Sequence, residues 1–83
     1  MKERILKLME KQLIFSHHAI ERMIHPSRRL TKAEIKEAIK NGDVLEMQRP
    51  DVAVIQSSKP AVCVVVGICD DYLVVITAWR GKK

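Results

Sequence analysis

His18 and Arg22 stand four residues apart in the run Ser16-His17-His18-Ala19-Ile20-Glu21-Arg22-Met23. On a helix that spacing puts both side chains on one face, one turn apart. An arginine grips phosphate oxygens through its forked N–H groups. A histidine beside it can take or give a proton near neutral pH. Together they resemble the minimum for metal-free RNA cleavage: a base for the 2′-OH, an acid for the leaving oxygen, and a cation for the developing charge. His25 is seven residues from His18 and projects near the same line. The plainer reading is that His and Arg on an amphipathic helix form an ordinary solvated face.

Other groups widen the choice. Arg28 and Arg29, with Lys32 and Lys36 beyond, are the most concentrated positive stretch. Such a stretch can track a phosphate backbone, meet an acidic protein, or serve solubility. Near the C-terminus, Thr77 and Trp79 share a strand face and Arg80 points the other way. Trp79 also fits a plug at the core edge. Glu46 is a lone acid on a strand, of interest only if His18 and Arg22 approach that face. His17, Glu21 and His25 fall at i, i+4 and i+8, but no fourth metal ligand accompanies them. Cys63 and Cys69 would lie about 20 Å apart along one strand, too far for a disulfide, and read as buried free thiols.

These residues need elements to hold them. Residues 3–12 read as a helix with Ile5, Leu6, Met9 and Leu13 on its apolar stripe. Leu13-Ile14-Phe15 reads as the end of that helix or as a short strand. Ser16 is an N-cap for a helix from His17 to about Ile24, closed by Pro26. Thr31-x-x-Glu34 is a capping box, with Leu30 and Ile35 as its hydrophobic staple. Lys32, Lys36 and Lys40 line the outer face of the helix it opens, and Asn41-Gly42 suggests a left-handed C-cap. After it, Val44–Arg49, Val52–Gln56, Ala61–Ile68 and Tyr72–Trp79 read as strands joined by short turns. The expected architecture is α+β: N-terminal helices packed on an antiparallel meander of about four strands, the last two central.

Size and composition exclude much else. The chain has 83 residues and suits one domain, 1–83. Its formal net charge is +5, which favours an anionic partner without naming it. Phe15, Tyr72 and Trp79 are the only aromatics, too few for a base-stacking platform. No apolar run suits a membrane span, and the charged N-terminus is not a secretory signal, so the expected compartment is the cytoplasm. Of the 15 basic residues, 11 precede Pro50, which puts the positive charge on the helical half.

The ordered set of motifs carries a resemblance. Phe15-Ser16-x-His18-Ala19-x-x-Arg22-Met23 is followed by Thr31-x-x-Glu34-Ile35-x-x-Ala38-Ile39-x-Asn41-Gly42, and the chain closes with Val75-Ile76-Thr77-Ala78-Trp79. This resembles a small prokaryotic domain family of unknown function, grouped with RelE- and BrnT-like toxins. The resemblance implies two helices on a small antiparallel sheet and an endoribonuclease toxin. Its substrate would be RNA, free or on the ribosome, and its partner a zinc-finger type antitoxin. His18 would be the acid or base, Arg22 the phosphate clamp, and Thr77 a support from the sheet. Arg28, Arg29, Lys32, Lys36 and Arg80 would steer RNA. No cofactor, metal or membrane is implied. Two positions depart from the pattern. Lys59-Pro60-Ala61-Val62-Cys63 lacks a histidine that many members carry, and Trp79 replaces the final tyrosine. The alternative is a non-enzymatic module of the same fold that binds RNA or a partner protein.

Overall fold

The computed structural model describes residues 1–83. The elements are α1 (Lys2–Lys11), β1 (Leu13–Phe15), α2 (His17–Ile24), α3 (Lys32–Asn41), β2 (Asp43–Arg49), β3 (Val52–Ser58), β4 (Ala61–Ile68) and β5 (Leu73–Arg80). Three helices thus precede or interrupt the strands of one sheet, an α+β arrangement.

The sheet corrects the expectation in two ways. It has five strands, in the order β1-β5-β4-β3-β2, and it is mixed. β2 to β5 form the expected antiparallel meander. The fifth strand is Leu13-Ile14-Phe15, which pairs parallel with Leu73-Val74-Val75. Leu73 N–H donates to Gln12 O at 3.0 Å and Ser16 N–H donates to Val75 O at 3.0 Å, so backbone on both sides of β1 is tied to β5. A three-residue strand is stable here because a long neighbour is already in place to receive it.

All three helices contribute to the core on one sheet face. Ile5 and Leu8 of α1, Ala19 and Met23 of α2, and Ile35, Ala38 and Ile39 of α3 join Ala53, Ile55, Val62, Val64, Val66, Leu73, Val75 and Ala78. The two residues of the predicted staple, Leu30 and Ile35, are both buried in this cluster. The alternation along β4 divides its side chains between two faces. Val62, Val64 and Val66 meet the helices, while Cys63 and Val65 join Val54 on the far face, flanked by Val52, Ile76 and Trp79. Cys63 is buried as expected, but Cys69 is only half-buried; both are free.

An irregularity in β5 sets where its last residues point. Val65 pairs with Thr77 but Val66 pairs with Val75, so Ile76 is an extra residue opposite β4. One inserted residue reverses the side-chain phase beyond it. Leu73 and Val75 face the helices, as does Ala78 beyond the bulge. Thr77 and Trp79 therefore share the far face with Val65 and Cys63, and Arg80, paired with Val62, falls on the helix side.

Gly42 also departs from expectation. Its φ is −82°, not left-handed. Glycine is needed there for space: a Cβ would lie 2.6 Å from Ala38 O and 2.7 Å from Gln56 O. The Lys2 ammonium donates to Lys40 O at 3.1 Å and to Gly42 O, tying α1 to the end of α3. No helix is long and apolar enough to cross a membrane.

Candidate functional site

β1 ends at Phe15, so the edge of β5 beyond Val75 has no strand beside it. α2 packs against β5. Ser16 makes the junction: its hydroxyl accepts from Ala19 N–H at 3.0 Å and donates to Ile76 O at 2.9 Å. The N-cap is therefore also a bond to the sheet. Ala19 and Met23 bury the inner side of the helix.

His18 and Arg22 are both exposed on this helix. Arg22 Nε donates to His18 Nε2 at 3.4 Å. His25 does not extend the line. It is the C-cap of α2, and its Nδ1 lies 2.7 Å from Ser27 Oγ and accepts from Ser27 N–H at 3.3 Å. His17 pairs instead with Glu21 at 3.7 Å. No three His, Cys, Asp or Glu side chains converge anywhere in the chain.

The arginines after α2 divide into engaged and free groups. Arg28 Nη1 donates to Ala78 O at 3.0 Å. Arg80 Nε donates to Arg28 O at 2.8 Å, and its Nη2 donates to Arg29 O at 2.9 Å and to Glu34 Oε2 at 2.7 Å. Glu34 uses its other oxygen, Oε1, to accept from Thr31 N–H at 3.1 Å, completing the capping box. The hydrogen bond from Arg80, reinforced by that from the Thr31 backbone, holds the Glu34 carboxyl below its ordinary pKa. Lys32 sits over the Phe15 ring, 5.3 Å from its centroid. Arg29 and Lys36 are exposed, with no side-chain partner.

Thr77 and Glu46 do not join His18. Thr77 lies on the far sheet face opposite Val65, and Glu46 on the same face opposite Val54. Gln56 donates to Gly81 O at 3.0 Å and accepts from Lys83 N–H at 2.9 Å, and the Lys83 ammonium pairs with Glu46. The C-terminal residues thus cross that face. A separate cleft of about 330 Å³ opens between α3 and the β3–β4 turn. Glu34, Glu37, Asn41, Ser57 and Lys59 are among its lining residues; His18 and Arg22 are not. The Arg80–Glu34 pair and the second bond of Ser16 were not foreseen, because each joins residues more than forty positions apart.

The α2 helix, its cap and the β5 edge all fall within a defined family. The chain belongs to the family described as Domain of unknown function (DUF4258), whose model matches residues 15–80. α1 lies before the matched region. No curated protein and no solved structure matches the chain.

Proposed function

We propose that the chain acts on RNA through the exposed flank of α2, as an endoribonuclease related to RelE- and BrnT-like toxins. The single observation that carries this reading is the His18–Arg22 pair, in contact at 3.4 Å on an exposed surface. In this reading Arg22 turns from His18 Nε2 to the non-bridging oxygens of one phosphate when RNA binds, which frees that nitrogen. His18 Nε2 removes the proton of the adjacent 2′-OH. The 2′ oxygen bonds to phosphorus, the bond to the 5′ oxygen breaks on the opposite side, that oxygen takes a proton from water, and the imidazolium gives its own to solvent. A cyclic phosphate and a free 5′-OH result. Arg29 and Lys36, exposed and unpartnered, steer the strand. The setting is the cytoplasm, and the partner is an antitoxin of zinc-finger type. Purified protein incubated with RNA, with and without ribosomes, tests this. His18→Ala and Arg22→Ala should each lower cleavage by roughly 10²–10⁴-fold. Equal rates in all three proteins would remove these roles.

A second reading has its own support. Thr77 and Glu46 lie on the far sheet face, and Arg28 and Arg80 are bonded within the protein. The His18–Arg22 pair then has no support from Thr77, which suits a module that holds RNA or a partner protein through its exposed cations without cutting it. That reading predicts salt-dependent RNA binding and intact RNA after incubation.

A further inference from the structure

We propose that Arg80 and Glu34 form a latch that shapes the Arg28–Arg29 loop, making Arg80 a positioning residue and leaving Arg29 to meet the RNA. The part that concerns RNA rests on the functional reading above; the latch itself does not.

The latch follows from the bulge at Ile76. By sending Thr77 and Trp79 to the far face, the extra residue places Arg80 on the helix side, toward α3 and the loop. There its guanidinium binds three acceptors at 2.7–2.9 Å: two consecutive loop carbonyls and the Glu34 carboxylate. The link is reciprocal, because Arg28 reaches back to Ala78 O on the same strand. Between these bonds Arg29 adopts φ +42°, a left-handed conformation that a side chain disfavours. Such a conformation persists where surrounding bonds over-determine it. Here the Arg29 carbonyl is held by Arg80, and its N–H donates to His25 O at 3.1 Å. A planar fork suits this set of acceptors, and an ammonium does not.

The competing view is that Arg80 simply contacts phosphate and that Glu34 caps α3. Two variants separate the views. Glu34→Gln keeps a capping-box side chain, since glutamine serves there as well, but removes the charge that holds Arg80. Plain electrostatics says that removing an acid strengthens RNA binding. The latch says that binding weakens. Arg80→Lys keeps the charge, so a phosphate contact would survive it, whereas the latch would not.

The experiment measures binding of both variants to a single-stranded RNA oligonucleotide across a salt series, and trypsin cleavage after Arg28 and Arg29 in the RNA-free protein. The latch predicts cleavage about tenfold faster in both variants at conditions where circular dichroism shows them folded. It also predicts RNA binding several-fold weaker in both, with a slightly shallower salt slope, because Arg29 is no longer held toward a phosphate. Unchanged cleavage overturns the latch whatever the RNA result. Faster cleavage with equal or tighter RNA binding overturns its link to RNA. If the wild-type protein binds no RNA, the functional reading fails and the cleavage rates alone decide the latch.

Discussion

The hydroxyl of Ser16 holds the carbonyl of Ile76, the bulged residue of β5, at 2.9 Å while it caps α2 through Ala19 N–H. A bulge interrupts the ladder and leaves a residue without its regular pairing. Here the cap of the neighbouring helix bonds to the carbonyl of that residue. His18, two residues along, is thus tied through Ser16 to the bulged segment of the last strand.

This dual role makes Ser16 separable from an ordinary N-cap. Ser16→Ala loses both the cap and the bond to Ile76 O, for a combined cost of about 1–3 kcal/mol. Ser16→Asp is the sharper probe. Asp caps helices as well as Ser does, but an ionised carboxylate only accepts. It would face the Ile76 carbonyl with no proton to give. Urea denaturation should therefore find Ser16→Asp no more stable than Ser16→Ala. Full stability in the Asp variant would reduce Ser16 to a cap.

What was legible in the sequence was local. The capping box at Thr31 and Glu34, the staple pair of Leu30 and Ile35, and the cap at Ser16 each involve residues within five positions; both caps form, and the staple pair is buried. The antiparallel meander was legible because short turns force adjacent pairing. β1 was legible only as one of two alternatives, a helix end or a short strand, because three apolar residues between helices carry no periodicity and their partner lies about sixty positions away. The face of Thr77 and Trp79 relative to Arg80 was legible from strand alternation, but which of the two layers each met depended on the bulge. Asn41-Gly42 was misread for a related reason. Its glycine answers the approach of Gln56 from another element, not the local backbone.

Gly42→Ala tests that last point. The backbone angle at Gly42 is open to any residue, so a purely local account predicts little change. The close approach of Ala38 O and Gln56 O predicts a clash that only backbone movement can relieve. We expect a loss of about 1–3 kcal/mol in chemical denaturation.

The two thiols should differ in reactivity. Cys63 is fully buried, and desolvation pushes its thiol above the ordinary value. Cys69 is half-buried in the β4–β5 turn. A thiol reagent at pH 8 should modify Cys69 in the native protein and Cys63 only after unfolding. Mass spectrometry of the native reaction should therefore show a single adduct, on Cys69. Rapid double labelling would mean that the far face of the sheet opens readily.

Acid should weaken the α3 end of the protein through Glu34. Its folded pKa lies below the reference value of 4.5, chiefly because of the Arg80 hydrogen bond. A carboxylate with a depressed folded pKa binds protons more readily when unfolded. Its contribution is therefore complete above about pH 4.5 and is lost as pH falls through the folded value. Glu34→Gln removes this titration. Melting curves from pH 7 down to pH 3 should show the variant less stable than wild type at neutral pH, with the gap closing in the acid range. Because the Glu34 side chain is about one-third exposed, solvent weakens the pair and the gap should be small. A gap that stayed constant down to pH 3 would mean that Glu34 stabilises the protein by something other than its charge.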